Sequence, residues 1–116
     1  MDELHASVRQ VPSLMVIDLR GSVTGFADGA ITSAYRGAAE QGARDFLLNF
    51  SAVDYVNSAG IAIIIGILIE ARKANQRLLI TGLTPHYQKI FNMMGLSDYA
   101  PVFESVEAAS AWVARQ

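Results

Sequence analysis

The sequence predicts an α/β domain with a central mixed, largely parallel β-sheet and helices packed on it, in the order β-β-α-β-α-β-α-β-α. Three observations predict it. Short β-rich apolar runs alternate with stretches of helical periodicity, the pattern of a parallel sheet covered by helices. The first two runs are separated only by Pro12-Ser13, turn chemistry that opens the sheet on an antiparallel pair. At 116 residues the chain is long enough for one core and too short for two, so a single domain, 1–116, carries both fold and function.

Residues 4–11 alternate loosely and "LMVIDL" (14–19) is β-rich, giving the opening strands. Ala27, Ala30, Ile31, Ala34, Tyr35 and Ala38 then fall at helical spacing, with Gly42 placed as the stop after the last turn. "DFLLNF" (45–50) reads as a buried strand and "RLLITGL" (77–83) as another. Between them lies "VNSAGIAIIIGILIEARK" (56–73), an apolar run without a phase of its own. The charged helix formers of "EARKANQ" after it, and Asn57 or Ser58 as an N-cap before it, make residues 58–74 a helix. "TPHYQKIFNMMG" carries Thr84 as N-cap, Pro85 at the first helical position, an apolar stripe of Tyr87, Ile90, Phe91 and Met94, and Gly95 as the stop. A short strand at 101–104 follows, and Ser105 caps a closing helix with Val106, Ala109 and Val113 at core spacing. Sheets of this kind put ligand and partner sites on loops after the strand C-termini, and the stretch 51–57 reads as one of these.

Composition narrows the function. Hydrophobic residues make up 52% and charged residues 17% of the chain, and the mean hydropathy is +0.28; disorder is excluded, and apolar surface is left over for a partner. With 9 Lys+Arg against 11 Asp+Glu, there is no basic footprint for nucleic-acid phosphates or anionic lipid. Without cysteine there is no disulfide framework and no thiol nucleophile. The two histidines, His5 and His86, lie far apart with no carboxylates at ligand spacing, so neither a metal nor another cofactor is expected. The start "MDELHASVRQ" lacks the basic and apolar regions of a signal peptide, and the apolar stretch 59–69 is too short to span a bilayer. A cytoplasmic domain without membrane insertion is the expectation.

An enzyme is the least supported class. Gly21, Gly25 and Gly29 match no phosphate-binding fingerprint. Ser58 has neither a G-x-S-x-G elbow nor a neighbouring base. From spacing alone Ser58 reads as a helix cap. Ala59, Ala62 and Gly66 form a strip of small residues along one helix face, which faces either the sheet or a partner. Ile61, Ile64, Ile65 and Leu68 supply a core face, which leaves Ile63 and Ile67 as an apolar flank beside the helix start.

"NSAGIAIIIG" is similar to the D-[ST]-x-G-[LI]-x-x-x-x-G signature of STAS domains, the anti-sigma factor antagonists, and "LTPHYQKIFNMMGL" resembles their downstream S-P-x-x-x-x-[LI]-F-x-x-x-G-L element. The resemblance extends over about residues 4–114 and implies the STAS fold and a binding module without a catalytic centre. In phosphorylatable members the Ser or Thr after the motif aspartate accepts phosphate from the anti-sigma factor, an ATP- and Mg-dependent serine kinase; Ser58 occupies that position. The resemblance therefore implies a candidate phosphoacceptor at Ser58, a phosphatase to reverse it, and a partner surface of Thr24, Asn57, Ser58, Ala59, Gly60, Ala62, Ile63, Gly66 and Ile67. Two positions depart from the family pattern: Asn57 stands in place of the motif aspartate, and Thr24 in place of the acidic residue many members carry after the second strand. The alternative within the family is a regulatory subunit docking on a transporter ATPase or in a sensory complex.

Overall fold

The computed structural model describes residues 2–116. β1 (His5–Val11) and β2 (Leu14–Val23) are followed by a 3-10 turn (Gly25–Ala27) and α1 (Asp28–Glu40). β3 (Asp45–Val56), α2 (Ser58–Lys73), β4 (Arg77–Thr81), α3 (Pro85–Met93), β5 (Val102–Phe103) and α4 (Val106–Ala114) complete the order the sequence predicts. The strands form one sheet in the order β1-β2-β3-β4-β5. β1 runs antiparallel to β2, and the remaining neighbours are parallel.

The local chemistry of the helix ends is as expected. Thr84 accepts from the Tyr87 N–H with Pro85 at the first position, and Ser105 accepts from the Ala108 N–H. Gly42 and Gly95 follow α1 and α3 with positive φ. On one face of the sheet Ile17, Leu19, Phe46, Leu48 and Ile80 pack with Ile31, Tyr35, Ile64, Leu68 and Phe91 from α1, α2 and α3. On the other face α4 alone covers Leu14, Val16, Leu47 and Leu79 with Ala109 and Val113. The Tyr35 hydroxyl donates to the Gln76 side chain, which lets α1 bury its largest residue with its polar end satisfied.

Three expectations are corrected. β2 continues beyond 19 to Val23, and the stretch 51–57 is not a loop but the second half of β3 up to Val56. Arg20–Val23 pairs in parallel with Ala52–Val56 across two irregularities of register. Those bulges, and a Ser22 hydroxyl donating to Asp54 at 2.8 Å, put polar residues where alternation would show a strand. β4 ends at Thr81 rather than at 83, because Gly82 turns the chain with φ +83°. Third, Met94, expected in the stripe of α3, is exposed; α3 has ended one residue earlier.

Candidate functional site: the corner where two strands meet the start of α2

β2 and β3 end side by side, with Val23 paired to Val56. Asn57 continues the pairing, its N–H donating to the Val23 carbonyl at 3.2 Å. It then turns the chain into α2: its Oδ1 accepts from the Gly60 N–H at 2.9 Å, and its carbonyl accepts from the Ile61 N–H at 2.9 Å. Asn57 is thus the N-cap, and the sequence reading that left the cap open between Asn57 and Ser58 is decided for the amide. Ser58 is the first residue of the helix and exposed. Its hydroxyl stands at the positive end of sixteen helical residues, where an anion gains from the macrodipole.

The cap brings α2 very close to the sheet. A β-carbon at position 60 would lie 1.9 Å from the Val23 carbonyl oxygen and 2.6 Å from its carbon, so only glycine fits there. From Gly60 the buried face continues through Ile64, Ile67, Leu68 and Ala71, a stripe at positions i, i+4, i+7, i+8 and i+11. Ile67, expected on an exposed flank, lies in the core at 3% exposure, while Ile61 and Ile65, expected in the core, are half-buried. An apolar run has no sequence phase, and the contact of Gly60 with β2 sets the rotation of the helix. Gly60 accordingly offers no surface to a partner, and Ile67 only the little that lines the groove between α1 and α2.

The other predicted residues fall on two hollows, Ala62, Ile63 and Gly66 on one and Thr24 and Asn57 on another, with Ser58 and Ala59 exposed at the start of α2. Ala59, Ala62 and Gly66 are exposed, so the small-residue strip faces solvent and not the sheet; Ile63 is half-buried beside it. A β-carbon on Gly66 would meet nothing within 4 Å. Ala62 and Gly66 of the strip, with Ile63 and Ile67, line a groove of about 450 Å³ between α1 and α2, with Asp28, Thr32 and Arg36 on the α1 wall. Arg36 and Glu70 join the two helices through a two-pronged pair, at 3.0 Å and 2.9 Å. That hydrogen bonding from Arg36 holds the Glu70 carboxyl below its usual range.

Thr24, half-buried, plays a structural part. Its hydroxyl accepts from the Phe26 N–H at 3.3 Å and its carbonyl from the Ala27 N–H at 3.0 Å, which shapes the 3-10 turn. Two residues here were missed by sequence reasoning. Phe26, at the tip of that turn, is fully exposed at 102% and lines a hollow of about 480 Å³ with Ser22, Thr24, Ala27 and Asn57. The only signal for it was an aromatic between Gly25 and Ala27, without helical phase. Tyr87 of α3 accepts at its hydroxyl from the Val56 N–H at 3.0 Å, bracing the end of β3; its place in an apolar stripe hid the polar role.

The STAS domain profile matches residues 5–109. The chain belongs to the STAS domain family. Among its relatives, BtrV of Bordetella bronchiseptica, which carries the name of an anti-sigma factor antagonist, is 24% identical over 108 residues, 93% of each chain. The structure of the Bacillus cell fate determinant SpoIIAA in its phosphorylated form superposes with a TM-score of 0.70 at 23% identity, over 91% of this chain and 97% of that one. A sulfate transporter family protein from Wolinella succinogenes superposes with a TM-score of 0.78 at 16% identity, over 92% and 90%. In this STAS domain the motif serine, Ser58, lies in the open, and the motif position before it is held by a neutral amide that caps the helix. Among the described residues no helix is long and apolar enough to cross a membrane.

Proposed function

We propose that this STAS domain is an anti-sigma factor antagonist. Unmodified, it binds an anti-sigma factor through Thr24, Asn57, Ser58, Ala59, Ala62, Ile63 and Gly66, and so releases a sigma factor without itself touching nucleic acid. The anti-sigma factor is a serine kinase that phosphorylates Ser58, and a phosphatase restores the hydroxyl. The domain works in the cytoplasm, catalyses nothing and needs no cofactor of its own. The observation that carries the reading is the exposed Ser58 at the first position of α2, beside a solvent-facing strip of small residues.

The physics of the switch follows from that position. A phosphate adds about −1.5 to −2 charges. At the helix N-terminus it gains about 0.3–1 kcal/mol from the dipole, so the fold survives it. Asn57 keeps the capping oxygen without the negative charge an aspartate would place next to the phosphate. Carried into a contact over Ile63 and the Ala59–Ala62–Gly66 strip, the same charge demands desolvation worth several kcal/mol unless it is paired. The interface gives way while the domain stays folded.

The test is incubation with the cognate kinase and ATP, with intact mass measured for wild type and Ser58→Ala. One added phosphate on the wild type and none on the variant is the expected result; phosphate retained by the variant refutes the assignment. In a pull-down, Ser58→Asp is expected to lose a kinase-like partner that the wild type captures. A second reading, a subunit docking on a transporter ATPase or in a sensory complex, draws on the likeness to the sulfate transporter family protein. It predicts capture of such an assembly, insensitive to Ser58→Asp.

A further inference from the structure

The aromatic rings of this protein range from fully buried to fully exposed, with Tyr55 at 39% and Tyr99 at 54% in between. Tyr35, Phe46, Phe50 and Phe91 are at most 2% exposed, whereas Phe26 stands at 102%. A ring wholly in water contributes nothing to the core, yet the turn that carries this one is held in place. Thr24 holds the turn at two points, through its hydroxyl to the Phe26 N–H and its carbonyl to the Ala27 N–H. Ala27 is buried at 2%, and the Ala59 methyl lies 3.5 Å from where a β-carbon on Gly25 would stand. The turn is therefore clamped between the core and the start of α2, with its ring aimed outward.

We infer that Phe26 is the apolar anchor of the partner interface, inserted into a hydrophobic pocket of the anti-sigma factor next to the place where that protein meets Ser58. The inference rests on the function proposed above and deepens it by naming the contact that supplies affinity. Continuity argues for it: Asn57, which caps α2 under Ser58, lines the hollow beside Phe26, and Gly25 abuts Ala59, the residue after Ser58. The turn is already held before docking, so little backbone freedom is lost there, and aromatic anchors in desolvated pockets carry a disproportionate share of binding energy. Ser58 then serves as the switch and Phe26 as the grip. A charge at 58 opposes desolvation of the contact that the ring holds shut.

The experiment is calorimetric titration of wild type, Phe26→Ala, Phe26→Leu and Met93→Ala against the purified anti-sigma factor encoded in the same genome. Met93, 77% exposed near the end of α3, is the control for an exposed apolar side chain elsewhere. Phe26→Ala is expected to weaken Kd by about 10- to 100-fold, Phe26→Leu to recover part of the loss, and Met93→Ala to stay within about twofold. Thermal melts are expected to coincide for all four proteins. Binding of Phe26→Ala within about twofold of wild type, with Ser58→Asp still abolishing it, overturns the anchor and leaves the functional reading standing. A wild type that does not bind overturns both. Light scattering on the same samples covers the other occupant: a wild-type dimer that Phe26→Ala turns into monomer at unchanged Kd assigns the ring to a second copy of this chain and overturns the proposal.

Discussion

α2 and α3 begin in the same way and end up with different chemistry. Each follows a parallel strand on the same face of the sheet, and each has a polar cap accepting from the N–H three residues on, Asn57 to Gly60 and Thr84 to Tyr87. At α3 the hydroxyl is the cap itself, and Pro85 behind it has no polar side chain to present. At α2 an amide takes the capping role, and the hydroxyl of Ser58 moves one place along to the first helical position. A capping hydroxyl is engaged by the backbone, whereas one placed after the cap is open to a visiting protein. Three residues after the cap the contrast repeats: Gly60 brings α2 onto Val23, and Tyr87 reaches from α3 to the Val56 N–H. Both helix starts are thereby tied to the two strand ends that frame Ser58.

The strongest way to break this comparison is at Gly60. Alanine there drives a methyl to 1.9 Å from the Val23 carbonyl oxygen, and neither partner is a side-chain tip able to swing away. Overpacking against backbone is expected to destabilise by about 3 kcal/mol or more, a large share of the total for a domain of this size. Urea unfolding measures it, and a variant of near wild-type stability would show that α2 is not seated on β2 as described. Next is Tyr87→Phe, which keeps the ring and removes only the acceptor of the Val56 N–H. An expected loss of about 1–2 kcal/mol is accompanied by faster amide exchange at Val56, since a donor inside the corner is left without its partner.

What could be read from the sequence follows the range of the forces involved. Thr84, Pro85, Gly95 and Ser105 act within a few residues, and each was legible as punctuation. The order of elements was legible too, because alternation of strand and helix needs only local periodicity. The far halves of β2 and β3 were not, because bulges at Asp18–Arg20 and Gly21–Ser22 break the period and the Ser22–Asp54 pair makes a strand look like a loop. The phase of α2 was hidden for a different reason. Five isoleucines among residues 61–67 offer no polar side to turn outward, and the rotation that buries Ile67 is decided at Gly60 by a contact with Val23, far away in sequence. Phe26 escaped notice because exposure of a ring in a turn depends on what fails to cover it. Ser58 itself was legible as a position, but the assignment of its cap to Asn57 required the geometry.

The finest test separates the capping role from the exposed hydroxyl. Asn57→Ala and Thr84→Ala each remove a side-chain acceptor from a helix N-terminus, and each is expected to destabilise the domain by about 1 kcal/mol. Ser58→Ala removes no cap, leaves the Asn57–Gly60 bond in place and replaces an exposed residue with a good helix former. Its expected effect on stability lies within about 0.5 kcal/mol. Parallel thermal or urea melts of the three variants check this ordering directly. If Ser58→Ala cost as much as Asn57→Ala, the serine hydroxyl would be sharing the cap and the separation of duties at α2 would be lost. If the ordering holds, any defect of Ser58→Ala in partner binding or phosphate uptake belongs to the hydroxyl as a reactive group and not to a loosened helix.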